Sequence, residues 1–335
     1  MKNFSVGISG TGSYVPEEVL TNDDLSKMVD TSHEWIVSRT GIEERRIAPK
    51  NVATSDLSTE AALRALEDAK LKPEEIDLII VATVTPDYSL PSTACIVQKN
   101  IGAVNAAAFD LNAGCTGFVY GVATGANFIK AGIYEKVLVI GAETMSRAVN
   151  WEDRNTCVLF GDGAGACVLE KCEEGYGIIS YELGSDGTNH EVLIQPAGGS
   201  REPANVESLA NNLHYIYMDG REVFKFAVRV MEKSSMAALE KANMDISDLD
   251  FLIPHQANTR IIDSARKKLN LPEEKVYVNL NKYGNMSSAS VPVALDEAIK
   301  NKKIKKGDSV LLVAFGAGLT WGSIILKWNR EEKDV

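Results

Sequence analysis

Cys115 sits inside "AFDLNAGCTGFVYG" (residues 107–120), behind an apolar run and at the start of a small-residue segment that predicts a helix. A thiol delivered by a strand to a helix N-terminus is placed as a nucleophile. The unpaired N–H groups and the helix dipole there favour a thiolate, and they suit a thioester oxyanion. That placement predicts a thiol pKa lowered by the helix. "IPHQANTRI" (253–261) sets His255 directly behind a predicted strand, where α/β folds put catalytic groups. "KYGNMSSAS" (282–290) sets Asn285 in a Gly-containing turn before a predicted helix, and "AFGAGLTWGS" (314–323) is a Gly-rich turn between two apolar strands. Each has a plainer reading in isolation: a core cysteine, a structural histidine, a turn or N-cap asparagine and a hairpin.

These residues need elements to position them, and the chain repeats itself in supplying those. "LEDAKLKPEEIDLII" (66–80) aligns with "LEKANMDISDLDFLI" (239–253), with Leu66, Glu67, Ala69 and Asp77 on Leu239, Glu240, Ala242 and Asp250 at an offset of 173. The same offset sets "VLVIG" (137–141) on "VLLVA" (310–314), Asn112 on Asn285 and Cys115 on Ser288. Continuous apolar runs at 78–84, 137–141, 251–254 and 310–315 predict strands buried on both faces. Helices are predicted over 55–70, 92–100, 116–131, 220–242, 257–269 and 288–301. A layered α/β architecture of two pseudo-equivalent halves follows, residues 1–175 carrying Cys115 and 176–335 carrying His255 and Asn285. In the second copy "NKYGNMSSASVPVAL" (281–295) is read as strand, turn and helix, so two helix N-termini face each other across the halves.

Composition excludes several classes. The 335 residues are 45% hydrophobic and 24% charged, which is ordinary globular composition. The net charge of −11 argues against non-specific nucleic-acid binding and against an anionic membrane surface. No apolar run reaches a membrane span, and "MKNFSVGISGTGSYVP" does not read as a signal peptide. Five scattered cysteines without a CxxC pair predict reduced thiols in a cytoplasm, and four dispersed histidines give a zinc site no support. Cys95, Cys157, Cys167 and Cys172 are expected to be buried or inert. One basic island stands out, "ARKKL" at 265–269 with Arg260 just upstream. "GISGTGSYVP" and "FGDGAGACVL" are not dinucleotide fingerprints, since the first runs into Pro16 and the second into a strand.

Taken in order, "NAGCTGF", "FGDGAGA", "PHQAN", "YGNMSSAS" and "FGAGLTWGS", with "DTSHEWIVSRTGIEERR" (30–46) near the N-terminus, resemble the β-ketoacyl-acyl carrier protein synthase III family of the thiolase fold. The resemblance runs from about Gly10 to Trp328. It implies a Cys-His-Asn site of Cys115, His255 and Asn285. Cys115 would take an acyl group from acyl-CoA, with the imidazole assisting. His255 and Asn285 would hold the thioester carbonyl of malonyl-acyl carrier protein and stabilise the enolate left by CO2. The backbone N–H groups of Cys115 and Ala317 would hold the tetrahedral oxyanion, and Phe315 would screen the site from water. No metal or redox cofactor is implied, because the malonyl carboxylate supplies the carbanion on leaving.

The resemblance further implies that Trp35 and Arg154 sandwich the CoA adenine, that Arg39 lies near the phosphates, and that Lys225, Arg260, Lys267 and Lys268 dock the acidic carrier protein. It implies a homodimer in which Leu90 of the partner subunit closes the acyl pocket. Leu90 stands in "LPS" where acetyl-selective members carry Phe, which predicts tolerance of primers longer or more branched than acetyl. Ala317 replaces a glycine of the loop, where only a backbone N–H is needed. A His-Asn pair rather than His-His matches the initiating, CoA-accepting branch. The acidic residue of the related hydroxymethylglutaryl-CoA synthases is not found, "TVTPDYSLPSTAC" (83–95) offering only Asp87. The alternatives are a same-fold condensing or acyl-transfer enzyme of specialised metabolism and a non-catalytic partner subunit. Retention of all three site residues argues against the second.

Overall fold

The structure is a computed structural model that describes residues 4–331. The first half contributes β1 (Ser5–Tyr14), α1 (His33–Thr40), α2 (Thr54–Ala69), β2 (Leu78–Ala82), α3 (Thr93–Ile101), β3 (Ala107–Leu111), α4 (Gly117–Lys130), β4 (Val137–Thr144) and β5 (Asp162–Cys172). The second contributes β6 (Gly177–Ser185), α5 (Gly220–Ala242), β7 (Phe251–Pro254), α6 (Thr259–Lys268), α7 (Ser290–Lys300), β8 (Ser309–Gly316) and β9 (Thr320–Lys327).

Two mixed sheets form. One has the order β1-β5-β4-β2-β3 and the other β7-β8-β9-β6. In the first, β4, β2 and β3 run parallel and β5 is antiparallel to both neighbours. In the second, β7 and β8 run parallel and β9 is antiparallel to β8 and β6. The sheets are therefore the same motif twice, except that β3 has no full counterpart. In its place Val276 makes a single parallel bridge to Leu252.

The apolar runs become strands because both of their faces are covered. Every residue of β2 and β4 is buried. Helices α4 and α7 lie between the sheets, within a core that joins Val139 and Leu169 of the first sheet to Leu312 and Ile324 of the second. Helices α2 and α3 cover the outer face of the first sheet and α5 and α6 that of the second. This is the layered α/β/α/β/α arrangement of the thiolase fold.

One local expectation fails. The segment before Asn285 is a short helix, Leu280–Tyr283, and not a strand. A strand needs a ladder partner, and pairing at this edge is limited to the bridge at Val276.

Candidate active site

Cys115 lies in a 3-10 turn, Gly114–Thr116, that leads into α4. The turn packs against the end of β8, and the approach is close enough to require glycine on both sides. A Cβ on Gly316 would stand 2.5 Å from the Cys115 nitrogen, and one on Gly114, whose φ is +58°, 2.9 Å from the Ala317 nitrogen. The Cys115 and Ala317 N–H groups donate to no other described residue. Ala317 has no positive φ, so alanine is accommodated there without strain.

The thiol itself departs from expectation. The residue keeps some exposure where the cavity reaches it, but the sulfur is deep. Burial, reinforced by the charge of Glu143, pushes the thiol up to about 12, against the opposing hydrogen bonds from Ser287 and its own N–H. Desolvation outweighs the helix terminus, and Cys115 rests as a thiol.

His255 follows β7 and is buried. Its N–H donates to Val313 O at 2.7 Å. Its Nδ1 lies 2.5 Å from Ser290 Oγ, and the Phe315 ring stands edge-on at 5.2 Å. Burial pushes the imidazole down to about 3, so it is neutral. A Ser290 hydroxyl donating to Nδ1 leaves the proton on Nε2. In this form the ring offers a hydrogen-bond donor to the cavity.

Asn285 is pinned by its backbone, donating to Leu159 O at 2.8 Å and accepting from Gly161 N at 3.1 Å. Its Oδ1 accepts from Ser287 N at 2.9 Å, and no described residue accepts from its Nδ2. Its plainer reading as a turn residue is thus also correct, and the turn is what aims the amide.

Cys115, His255, Asn285 and Phe315 share a cavity of about 780 Å³ whose mouth holds Trp35, Arg39, Arg154, Lys225 and Arg260. Helix α1 is tied to α6 there, Asn258 Nδ2 donating to Arg39 O at 3.0 Å and Thr259 Oγ1 to Thr40 O at 3.0 Å. The guanidinium carbons of Arg39 and Arg154 each lie 5.0 Å from the centroid of the Trp35 ring. Arg154 also donates to Asp30 O at 2.7 Å. The slot between Trp35 and Arg154 is therefore filled by Arg154 itself.

The basic island is less basic than its composition. Lys225, Lys267 and Lys268 are ion-paired with Glu222, Asp263 and Glu232 at 2.7, 2.6 and 2.7 Å. Lys267 and Lys268 do not line the cavity. Arg260 does, and its guanidinium lies 5.8 Å from the Phe224 ring centroid.

A second cavity of about 1130 Å³ reaches Cys115 and Ala317 from another side and extends to Leu90, which is 87% exposed. Asp87, in the same loop, caps α2 by accepting from Ser55 N and Ser55 Oγ at 2.8 and 2.6 Å. Cys157 and Cys167 are buried, Cys172 is partly so, and Cys95 is exposed.

Sequence reasoning missed one group beside the nucleophile. Glu143, at the end of β4, is fully buried. Its carboxyl accepts from Thr83, Thr85, Ser287 and Ser288 hydroxyls and from the Val84 and Thr85 N–H groups. The available signal was a carboxylate continuing an otherwise apolar strand, "VLVIGAET".

Two family models match, 3-oxoacyl-[acyl-carrier-protein] synthase III over residues 109–187 and its C-terminal domain over 239–328. The beta-ketoacyl-[acyl-carrier-protein] synthase III of Caldanaerobacter subterraneus subsp. tengcongensis is 62% identical over 98% of this chain and 99% of its own. The synthase III of Clostridioides difficile is 59% identical over 98% and 99%. The crystal structure of 3-oxoacyl-[acyl-carrier-protein] synthase III from Aquifex aeolicus superposes with a TM-score of 0.90 at 50% identity, covering 97% of this chain and 100% of that one. A priming β-ketosynthase of the R1128 polyketide pathway gives 0.89 at 34%, covering 97% of each. On this likeness the chain belongs to the β-ketoacyl-acyl carrier protein synthase III family.

Proposed function

We propose that the chain is an acyltransferase that starts fatty-acid synthesis, condensing a short acyl-CoA with malonyl-acyl carrier protein to give 3-oxoacyl-carrier protein, CO2 and CoA. The observation that carries this is the convergence of Cys115, His255 and Asn285 on one cavity, beside two backbone N–H groups that donate to no other described residue. Cys115 attacks the acyl-CoA thioester and keeps the acyl group as a thioester. The N–H groups of Cys115 and Ala317 hold the oxyanion of that step and of the later one. His255 Nε2–H and Asn285 Nδ2–H donate to the malonyl thioester oxygen, so the charge left by CO2 settles on a held enolate. Its carbon then attacks the acyl group on Cys115. The electron pair comes from the malonyl carboxylate, so the reaction draws on no metal or redox group.

Trp35, Arg39 and Arg154 receive the nucleotide end of CoA. Arg260 leads the docking of the acidic carrier protein, with Lys225, Lys267 and Lys268 contributing through their exchangeable ion pairs. Residues 1–175 and 176–335 are the two duplicated halves. A homodimer is supported by the edge strand β3 and by exposed Tyr88 and Leu90, apolar side chains with no cover in one subunit. Among the described residues no helix is long and apolar enough to cross a membrane, in keeping with work in the cytoplasm. The relatives at 62% and 59% identity bear the synthase III name, and the polyketide enzyme stands at 34%. That difference favours primary metabolism over a specialised acyl transfer.

Intact-protein mass spectrometry with a panel of acyl-CoAs tests this reading. An acyl mass on Cys115 that malonyl-carrier protein discharges as 3-oxoacyl-carrier protein supports it. An adduct that malonyl-carrier protein leaves in place moves the chain to the specialised reading. With acetyl-, isobutyryl- and hexanoyl-CoA, the exposed Leu90 predicts turnover of the larger primers, and strict acetyl preference overturns that prediction.

A further inference from the structure

Glu143 stands near the end of β4, is fully buried, and has no part in the steps above. Its two oxygens face different halves of the chain. Oε2 accepts from Thr83 Oγ1 at 3.1 Å, Thr85 N at 3.1 Å and Thr85 Oγ1 at 2.6 Å, all just beyond β2. Oε1 accepts from Ser287 Oγ at 3.0 Å and from Ser288 Oγ at 2.9 Å, in the turn that carries Asn285. Ser288 Oγ also lies 2.7 Å from Ala82 O. Strand and turn are in direct contact, since a Cβ on Gly141 would collide with Ser288 O.

Ser287 is the residue of that turn that needs holding. Its φ is +48°, in the left-handed region that serine seldom adopts. Its hydroxyl is tied to Glu143, and its N–H donates to Asn285 Oδ1 at 2.9 Å. That N–H decides which end of the amide meets the cavity. With Oδ1 on Ser287 N, Nδ2 is the free end and Asn285 presents a donor. Once the N–H moves away the amide can turn over. The end presented is then an acceptor, which repels an enolate oxygen.

We propose that Glu143 and Ser287 are positioning residues for Asn285. The carboxylate is fixed to the half that bears Cys115 through Thr83 and Thr85, and it fastens the Ser287 hydroxyl of the other half. The fastened serine stays left-handed, and its N–H keeps the Asn285 amide donor-first toward the malonyl thioester oxygen. Glu143 serves as an acceptor and exchanges no proton, so its charge is not what the arrangement needs. A glutamine here can place its oxygen on the N–H groups of Val84 and Thr85 and turn its NH2 to Ser287 and Ser288, whose hydroxyl oxygens can accept.

This inference rests on the reading of His255 and Asn285 as the holders of the malonyl thioester, and the test separates the two. CO2 release from malonyl-carrier protein is measured in a Cys115→Ala parent, where any effect on the thiol drops out. Ser287→Ala loses the tie and keeps a side chain that resists a positive φ. It should lower the kcat of decarboxylation about tenfold or more, as misplacing a positioned donor does. Ser287→Gly loses the same tie but adopts a positive φ without strain, so it should regain severalfold over Ser287→Ala. Glu143→Gln should stay near the parent. Equal losses in Ser287→Ala and Ser287→Gly assign the effect to the hydroxyl itself and overturn the positioning role. So does a folded Glu143→Gln that falls as far as Ser287→Ala. If Glu143→Gln fails to fold, the two Ser287 variants decide alone. CO2 release that Asn285→Ala abolishes and Ser287→Ala leaves unchanged keeps the reading and overturns only this inference. No CO2 release by the parent overturns both.

Discussion

Gly316 faces the Cys115 backbone at a distance that leaves no room for a side chain, its Cβ position being 2.5 Å from the Cys115 nitrogen. The nucleophile's N–H is thus placed by a residue of the other half of the chain. Gly316→Ala forces these backbones apart and removes one oxyanion donor. We expect Cys115 acylation to fall about 10²-fold, read as the rate of acyl-enzyme formation. Ala317→Gly keeps the N–H and is expected to stay near wild type. Equal losses in the two variants would show that the loop is not what holds the oxyanion.

The proposed mechanism has Cys115 and the His255–Asn285 pair act in different steps. Cys115→Ala abolishes the acyl adduct. His255→Ala and Asn285→Ala are expected to keep most of the acylation and to lose malonyl-carrier protein decarboxylation, measured as CO2 release. Both residues sit against the cavity as donors and neither is set up as a base, so equal loss of the two steps would contradict the assignment.

Arg260 is the cation of its patch with no ion pair to a carboxylate among the described residues, whereas Lys225, Lys267 and Lys268 are paired. Arg260→Glu should raise the KM for malonyl-carrier protein severalfold more than Lys267→Glu does, with acyl-CoA loading nearly unchanged. A larger effect from Lys267→Glu would place docking on the outer face of α6.

His255 makes the fold sensitive to acid. Its pKa drops from 6.5 to about 3 on folding, so below pH 6.5 the unfolded chain binds a proton that the folded chain refuses. Stability from this residue is complete above pH 6.5 and falls by about 1.4 kcal/mol per pH unit as pH drops toward 3. Urea unfolding at stepped pH should give a shallower acid slope for His255→Gln than for the wild type, and identical slopes would refute the assignment.

The strands at Leu78–Ala82, Val137–Thr144, Phe251–Pro254 and Ser309–Gly316 were legible because a strand covered on both faces must be apolar throughout. The duplication was legible for the same reason, since paired copies bury the same pattern. The helix at Leu280–Tyr283 was not, because the place beside β7 that β3 takes beside β2 is held by Val276, through its single bridge to Leu252, and the local sequence does not show that. The thiol pKa was misjudged because a local motif shows a helix terminus but not the depth of sulfur beneath two packed halves. Glu143 escaped notice because its partners come from two segments far from its own strand, Thr83–Thr85 and Ser287–Ser288. The neutralised lysines were half visible, since Glu222 and Asp263 stand three and four residues from Lys225 and Lys267, while Glu232 reaches Lys268 from another helix.

The Trp35 ring carries a guanidinium at 5.0 Å on behalf of both Arg39 and Arg154, and this sets apart the two thioesters that the proposed reaction brings to one cavity. Both arrive on the same kind of flexible thiol arm, but only CoA ends in a nucleotide. In the proposed binding of CoA, an adenine taking the place of Arg154 against Trp35 would break that contact and the hydrogen bond to Asp30 O, so part of its stacking energy would be spent on opening the slot. A carrier protein has no base to insert and leaves that latch shut. With Arg154 on the ring the mouth has the form suited to the second substrate, and on the proposed reading the first would open it and release it on leaving. On that reading, alternation between the two partners would rest on the contact of one aromatic ring with one arginine.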